Sequence, residues 1–370
     1  MKAFSLLVKP ASADCNLRCE YCFYLDQLCE SKKTRMDDAT LEAMIRSYMK
    51  TSQPQYSIAF QGGEPTLMGL PFFEKLIALE KKYAPPGAQI ANALQTNGTL
   101  ITDEMAAFFG EYKFLLGVSM DGPPEIHDHY RKTIGKKGSH HLVQKGLDNL
   151  EKHKVEYNIL TLVNDLNSRQ PELIYDYFYE KGIRFLQFIP CVEFKSDGVT
   201  PETYSVSPEG WGDFLIGIFD RWYENRYEVS IRMFDSLLNK MVLGRPTTCD
   251  MDTNCCQYFV VEYDGSVYPC DFFVREELKL GNVKTEGWSQ FLTHQTYRDF
   301  GNGKLNYQDQ CGNCEWLSYC YGDCQKHRTG LKNDGLSTLC SGLKKFYRHA
   351  MPRLRSLADQ IQIDRARGKI

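Results

Sequence analysis

Residues 4–24 read FSLLVKPASADCNLRCEYCFY. The stretch joins a strand-sized apolar run to a loop that carries Cys15, Cys19 and Cys22. Three thiols are one short of a structural zinc site, and Cys29 follows at a spacing that no common zinc pattern uses. A four-iron cluster with three cysteine ligands keeps one iron open to bind and reduce a small molecule. The loop therefore favours such a cluster over a zinc site completed by Cys29 or a histidine, or a chance group of buried thiols.

The composition is typical of a globular protein that binds neither nucleic acid nor a membrane. The 370 residues carry a net charge of −3, with 42% hydrophobic and 25% charged residues. No basic excess, membrane span or signal peptide is visible, so a cytoplasmic location is expected. Fourteen cysteines in such a chain indicate metal ligation more than a disulfide framework, because the cytosol keeps thiols reduced.

The first half of the chain alternates strand and helix patterns. Apolar, β-branched runs predict strands at 4–8, 56–60, 89–95, 114–119, 156–163 and 184–189. Helices are predicted near 41–49, 71–83, 102–110, 138–153 and 171–181, with Thr102 as an N-cap. Six βα repeats predict an α/β fold with a parallel sheet, either doubly wound or closed into a barrel. In both cases the ligand site lies at the carboxyl ends of the strands.

Changes in composition suggest domain boundaries. We predict a main domain at 1–195, a helical insert at 196–248, a cysteine-rich module at 249–341 and a helical tail at 342–370. Ser207 before Pro208 predicts a helix start in the insert. The module is expected to have little regular structure and to be stabilised by metal. The tail is expected to be a helix interrupted by Pro352.

Eight cysteines of the module are enough for two sites with four thiolates each. They are Cys249, Cys255, Cys270, Cys311, Cys314, Cys320, Cys324 and Cys340. Taken alone, this segment would indicate two zinc ribbons.

The pattern Cys-x3-Cys-x2-Cys after a first strand, with Phe23 and Tyr24 behind it, resembles the signature of the radical S-adenosylmethionine (SAM) superfamily. The resemblance implies a partial (β/α)6 TIM-like barrel, with a [4Fe–4S] cluster on the three cysteines. The open iron of that cluster would bind the amine and carboxylate of SAM. The loop after the second strand would hold the amine, and here that loop is Gln61-Gly62-Gly63-Glu64-Pro65.

The later cysteines resemble the SPASM extension of radical enzymes, which carries two auxiliary [4Fe–4S] clusters, so three clusters are expected. The resemblance assigns Cys249, Cys255, Cys270 and Cys324 to one cluster. It assigns Cys311, Cys314, Cys320 and Cys340 to the other. Cys29, Cys191 and Cys256 are left over, and a role as small buried side chains suits them.

Three stretches narrow the resemblance: IAFQGGEPTL at 58–67, QTNGTL at 95–100 and GSVYPCDF at 265–272. These stretches are similar to the anaerobic sulfatase-maturating enzymes, and the resemblance extends over nearly the whole chain. These enzymes oxidise a cysteine or serine of a sulfatase to Cα-formylglycine, after a 5′-deoxyadenosyl radical removes a Cβ hydrogen. The resemblance places SAM contacts at Tyr24, Gly63, Ser119, Arg131 and Val192, and a general base at Asp271.

Position alone suggests that Gln61, at a strand end, contacts the target peptide, although an ordinary strand-end amide is an equal alternative.

The expected partners are a sulfatase polypeptide, unfolded or nascent, and an electron donor of the flavodoxin or ferredoxin type. One rival is another SPASM peptide maturase, which forms a thioether, a crosslink or an epimer. Such systems commonly use a leader-binding domain, and none is visible before the first strand. The other rival is a zinc-ribbon binding protein without catalysis.

Overall fold

A computed structural model describes residues 3–24, 34–330 and 334–369. Cys29 lies outside these residues. The strands are β1 (Ser5–Lys9), β2 (Tyr56–Phe60), β3 (Ile90–Thr96), β4 (Leu115–Ser119), β5 (Tyr157–Val163), β6 (Phe185–Pro190), β7 (Ser230–Ile231), β8 (Tyr258–Glu262), β9 (Ser266–Tyr268) and β10 (Gly281–Asn282). The first six begin and end within one residue of the predicted bounds, so the alternating pattern located them well.

The helices follow the strands in the predicted alternation. They are α1 (Asp38–Met49), α2 (Leu70–Tyr83), α3 (Asp103–Glu111), α4 (Pro124–Tyr130), α5 (His140–Lys152), α6 (Pro171–Glu180), α7 (Pro208–Glu224), α8 (Arg232–Leu243), α9 (Trp288–Thr293), α10 (Gln295–Asn302), α11 (Asp309–Gly312), α12 (Leu317–Cys320) and α13 (Cys340–Ala366). Both predicted caps form, since Thr102 accepts a hydrogen bond from Met105 N and Ser207 accepts one from Gly210 N. None of the helices described has the length and apolar character that a membrane crossing needs.

The chain divides into two compact units, and each is described separately. The first unit contains Met1–Met120, His127–Tyr157 and Cys256–Gly301. The second contains Asp121–Ile126, Asn158–Cys255 and Asn302–Ile370. The domain boundaries drawn from composition stay predictions.

The first unit is built on a largely parallel sheet in the order β10-β9-β8-β1-β2-β3-β4. Strands β8, β1, β2, β3 and β4 run parallel, while β9 pairs antiparallel with both β8 and β10. In the register of β1 with β8, Lys9 lies beside Glu262. Because parallel strands end at one edge, Lys9, Gln61 after β2 and Ser119 of β4 share the edge where a ligand site is expected.

Strands β8 to β10 were not predicted, because the cysteine-rich segment was expected to have little regular structure. The run Tyr258–Glu262 has a clear physical reason to pair with β1. Its residues Phe259, Val260 and Val261 are fully buried, and aromatic and β-branched residues suit a buried strand. The weak periodicity of the flanking loops concealed this short run.

The second unit contains the parallel strands β5, β6 and β7 and a packed group of helices. Helix α13 packs on α7 and α8. At the α7 crossing, a methyl group on Gly342 would approach the carbonyl of Pro208 to 1.8 Å, so the close contact requires glycine.

The expected interruption at Pro352 is wrong, because α13 runs through it without a break. A proline inside a helix costs about 3 kcal/mol. One face of α13 is buried from Gly342 to Ala358, including Phe346, Ala350, Met351 and Leu354. Burying several large apolar side chains contributes about 1.5–3 kcal/mol each, which exceeds the cost of the proline.

A buried acid of the first unit makes stability depend on pH. Glu80 on α2 is buried, and its Oε2 accepts a hydrogen bond from Asn92 Nδ2 on β3 at 3.1 Å. Burial raises the pKa of Glu80 to about 7. Within the described chain, Glu80 Oε1 and Asn92 Oδ1 have no hydrogen-bond partner. The folded protein therefore holds the carboxyl proton of Glu80 more tightly than the unfolded chain does.

Glu80→Gln should stabilise the protein at high pH. In the wild type, stability from this group is complete at low pH and is lost as the pH rises from about 4.5 to about 7. The amide carries no charge, so the variant should gain up to about 3 kcal/mol at about pH 8. Urea unfolding at about pH 5 and about pH 8 measures the effect. Glu74→Gln, on the exposed face of α2, is the control, and equal shifts in both variants would contradict the assignment.

Candidate active site

The loop with Cys15, Cys19 and Cys22 is fixed to a second segment of the first unit. Arg18 N donates to Lys132 O at 2.7 Å, and Glu20 N donates to Tyr130 O at 3.2 Å. Between these two acceptors lies Arg131, whose guanidinium carbon is 5.5 Å from the centre of the Tyr21 ring. The structure therefore brings Arg131, a predicted SAM contact, next to the cysteine loop.

The Cys15 thiol is half-buried in polar surroundings. Its Sγ accepts hydrogen bonds from Leu17 N at 3.4 Å and from Asn97 Nδ2 at 3.6 Å. Burial, and next the charge of Glu64, raise the pKa of Cys15 to about 12. A thiolate here needs a compensating positive charge, which a bound metal provides as it displaces the proton.

The glycine loop after β2 packs directly on the backbone that leads to Cys15. Gly63 N donates to Ser12 O and Glu64 N donates to Asp14 O, both at 2.7 Å. A methyl group on Gly63 would be 2.0 Å from Asp14 O. Residue 63 must therefore be glycine for the two loops to meet, and this gives the predicted SAM-binding loop a fixed place beside the thiols.

Glu64 connects the loops after β2 and β3. Its buried carboxylate accepts four hydrogen bonds, from Thr66 N at 3.0 Å, Thr66 Oγ1 at 2.6 Å, Thr96 Oγ1 at 2.8 Å and Asn97 N at 2.7 Å. Burial raises the pKa of Glu64, while these hydrogen bonds oppose the shift. Asn97 in turn donates to Cys15 Sγ, so Glu64 positions the thiol indirectly, through Asn97.

Gly63→Ala should disrupt the cysteine loop and lower SAM cleavage by about 10²-fold, because displacements near 1 Å have effects of that size. The methyl group would overlap the Asp14 backbone and push the two loops apart. Iron content and release of 5′-deoxyadenosine are the measurements. Gly287→Ala is the control, since its added carbon has no neighbour closer than 3.9 Å. Unchanged cleavage in Gly63→Ala would show that the close contact is not needed.

Asp271 is the centre of a buried network in the first unit. It follows Cys270 directly and is 6% exposed. Tyr24 OH donates to its Oδ1 and Gln61 Nε2 donates to its Oδ2, each at 2.7 Å. Burial and the nearby Asp271 charge raise the pKa of Tyr24 well above its usual value. Three predicted site residues, Tyr24, Gln61 and Asp271, are thus brought together.

Two charged residues of this network were missed by sequence reasoning. Lys9 Nζ lies 2.6 Å from Asp271 Oδ1 and 3.8 Å from Glu262 Oε1. Both Lys9 and Glu262 are buried. The available signal was that each is a charged residue at the end of an apolar run. The partner of Lys9 lies 262 residues away in sequence, which no local pattern reveals.

The remaining predicted SAM contacts fall in different units. Ser119 ends β4 in the first unit, at the edge where Lys9 ends β1. Val192 belongs to the second unit, follows β6 and is buried. Its neighbour Cys191 is also buried. Cys256 is half-buried and its thiol donates to Tyr297 O at 3.2 Å, so the role of these two cysteines stays a prediction.

In the second unit, the thiols of Cys311, Cys314, Cys320 and Cys340 line one cavity, together with Trp316, Leu343 and Tyr347. Across residues 3–24, 34–330 and 334–369, no three Cys, His, Asp or Glu side chains are close enough to share a single metal ion. Four thiols around an apolar space are a donor set suited to a multi-iron cluster. These are the cysteines that the resemblance assigns to one auxiliary cluster, and that assignment stays a prediction.

The cysteines assigned to the other predicted cluster fall in different units. Cys249, Cys255 and Cys324 belong to the second unit, while Cys270 belongs to the first. Burial raises the pKa of Cys324, and the next largest cause is the charge of Cys249. Gln325, beside Cys324 in sequence, donates to Cys255 Sγ at 3.3 Å. In the first unit, Tyr258 OH lies 3.6 Å from Cys270 Sγ.

Comparison with curated proteins identifies the family. The chain is 40% identical to a cysteine-type anaerobic sulfatase-maturating enzyme of Clostridium perfringens, over 98% of this chain and 100% of that protein. It is 38% identical to a serine-type anaerobic sulfatase-maturating enzyme of Bacteroides thetaiotaomicron, over 100% of this chain and 94% of that one. The chain belongs to the anaerobic sulfatase-maturating enzymes.

Solved structures agree with this family. A structure described as native anSMEcpe with bound AdoMet and Cp18Cys peptide superposes with a TM-score of 0.91 at 41% identity, covering 97% of this chain and 99% of that one. Family models of the radical SAM superfamily and of an iron–sulfur cluster-binding domain match residues 10–178 and 249–315. This member of the sulfatase-maturating enzymes therefore has the α/β radical SAM fold, and its cofactors are SAM and iron–sulfur clusters.

Proposed function

We propose that the protein oxidises a cysteine or serine side chain of a sulfatase to Cα-formylglycine. The observation that carries the proposal is the carboxylate of Asp271, which is hydrogen-bonded by Tyr24 from the cysteine loop and by Gln61 from the loop after β2. An aldehyde-forming oxidation must remove both a Cβ hydrogen and the proton of the side-chain hydroxyl or thiol. A carboxylate held at this edge of the sheet supplies the base for that proton.

The donor set fits the cofactors of this chemistry. Three thiols on one loop would hold the cluster that binds SAM, and the cysteines of the module would hold two auxiliary clusters in the two groups of four given above. When bound, SAM and these clusters supply a 5′-deoxyadenosyl radical that removes the Cβ hydrogen, and an acceptor for the second electron. The residues Tyr24, Gly63, Ser119, Arg131 and Val192 would contact SAM.

The protein residues orient the substrate and take its proton. Asp271 accepts the proton of the target hydroxyl or thiol, with Tyr24 holding Oδ1. Gln61 donates to Oδ2 through its amide nitrogen, and this leaves its carbonyl oxygen to meet the peptide. The buried position of Asp271 excludes bulk water, which strengthens its interaction with the substrate.

The partners follow from the chemistry. The cysteine or serine that is oxidised becomes buried in the active site of the sulfatase when the sulfatase folds. The radical must reach this side chain before then, so the substrate is an unfolded or nascent sulfatase segment. The clusters need a low-potential electron donor of the flavodoxin or ferredoxin type. The eleven cysteines proposed as cluster ligands suit a compartment that keeps thiols reduced, so we place the protein in the cytoplasm.

Mass spectrometry of sulfatase-derived peptides tests the proposal. Reduced, cluster-loaded protein is incubated with SAM and either a cysteine or a serine peptide, because the identities of 40% and 38% to the two types are alike. The expected product carries a carbonyl that reacts with a hydrazide, together with 5′-deoxyadenosine. A crosslink, a thioether or an epimer would not react with the hydrazide and would indicate the rival maturase. Absence of 5′-deoxyadenosine would refute radical chemistry altogether.

A folded and unmodified sulfatase is the matched control for the state of the substrate. The peptide should be converted faster than the folded protein, because the target residue of the folded protein is buried. Equal rates would contradict the expectation of an unfolded substrate while leaving the oxidation itself in place.

A further inference from the structure

Lys9 is a fully buried ammonium group at the edge where the proposed base lies. It is the last residue of β1 and has 0% exposure. Isolated buried charges are strongly disfavoured, so a lysine at this depth needs close anionic partners. Its Nζ has two, Asp271 Oδ1 at 2.6 Å and Glu262 Oε1 at 3.8 Å.

The shorter of these two contacts identifies Asp271 as the main partner of Lys9. Besides Asp271 Oδ1, its Nζ also donates to the backbone O of Asp271 at 3.3 Å. The same ammonium lies 4.5 Å from the centre of the Tyr24 ring, whose hydroxyl binds the same oxygen, Oδ1. Lys9 thus holds both the main chain and the carboxylate of Asp271.

The two oxygens of Asp271 are not equivalent. Oδ1 receives both the Lys9 ammonium and the Tyr24 hydroxyl. In the part of the chain that the structure describes, Oδ2 receives one hydrogen bond, from Gln61. A carboxylate oxygen offers about two acceptor positions, so Oδ1 is fully occupied and Oδ2 has one position open. The open position can accept the proton of a substrate.

We propose that Lys9 is a positioning residue, which holds Asp271 through Oδ1 so that the open side of Oδ2 faces the substrate hydroxyl or thiol. The inference rests on the proposed function, because it concerns the base of that reaction. The proton moves from the substrate oxygen or sulfur to Oδ2, and Lys9 stays an ammonium throughout. No bond to Lys9 forms or breaks.

Glu262 provides the competing, purely structural role for Lys9. It is the residue beside Lys9 in the register of β1 with β8. Its Oε2 has no hydrogen-bond partner among the described residues, and burial raises its pKa. If the only role of Lys9 were to balance the charge of Glu262, then Glu262→Gln would restore the activity that Lys9→Met loses.

The test compares Lys9→Met with the double variant Lys9→Met/Glu262→Gln. Methionine keeps the length and apolar stem of lysine without the charge. The double variant also removes the carboxylate that would be left unpaired, so it retains the fold even if the single variant does not. Iron content establishes that each variant is loaded. The measured quantity is the ratio of aldehyde formed to 5′-deoxyadenosine released.

We expect this ratio to fall by about tenfold or more in both variants, since a misplaced base slows proton removal without affecting SAM cleavage. The ratio should fall further in D2O, because transfer of the exchangeable substrate proton has become limiting. The peptide KM should change little. A purely structural role predicts parallel loss of both products and no added isotope effect.

The inference is overturned if Lys9→Met keeps the wild-type ratio, or if the double variant regains it. The second result would mean that Lys9 serves Glu262 alone. In either case the wild type still forms aldehyde, so the proposed function stands. If the wild type itself releases 5′-deoxyadenosine but forms no aldehyde, the proposed function fails, and the assignment of Lys9 fails with it.

Discussion

Asp271→Asn is expected to lower aldehyde formation by about 10²–10⁴-fold, the usual contribution of a general base, while SAM cleavage continues. Asparagine has nearly the same shape but cannot accept the substrate proton. It also turns one acceptor oxygen into an NH2 group, which must then face Tyr24 and Lys9 on one side or Gln61 on the other. The measurements are aldehyde yield, 5′-deoxyadenosine yield and iron content.

Asp264→Asn is the matched control for this variant. Asp264 lies before β9 in the same unit and accepts from Ser266 N at 2.9 Å, which asparagine can also do. Its product yield should equal that of the wild type. Full aldehyde yield from Asp271→Asn would remove Asp271 from the mechanism and assign the network around it to stability alone.

Cys15→Ala should abolish SAM cleavage entirely. The loop then has two thiols, Cys19 and Cys22, one fewer than the three proposed to hold the cluster. The expected observations are the loss of one cluster's worth of iron and of all 5′-deoxyadenosine, with the cysteine-rich module still loaded. Iron analysis and the visible absorbance of the anaerobic protein measure this.

Cys256→Ser controls for the general loss of a cysteine. The thiol of Cys256 donates to Tyr297 O at 3.2 Å, and a serine hydroxyl can make the same hydrogen bond. This variant should keep its iron and its activity. If Cys15→Ala still released 5′-deoxyadenosine, the open-iron interpretation of the first cysteine loop would be wrong.

Much of the α/β part of the chain could be predicted from sequence because its signals are local. Apolar runs located β1 to β6, and Thr102 and Ser207 marked two helix starts. The cysteine spacing pointed to a cluster, and the residues after β2 pointed to a cofactor loop. Each of these depends on residues within about one turn or strand of each other.

What escaped the sequence depends on residues that are far apart. Lys9 resembles an ordinary polar residue at a strand end until β8 places Glu262 beside it. In sequence, Glu64 is only one residue of a glycine loop, although its four hydrogen bonds connect two loops. The break predicted at Pro352 failed because tertiary burial outweighs a local helix cost, and no local pattern contains that burial.

The pairing of β1 with β8 also governs how the protein is made. Ser5 pairs with Tyr258, so the backbone groups on one edge of β1 stay unpaired until a segment about 250 residues later has been synthesised. At ribosomal speeds of about 5–20 residues per second, that delay is tens of seconds. During this time the exposed backbone of β1 is a template for wrong pairing, and a chaperone that shields the nascent amino terminus should raise the yield of active enzyme.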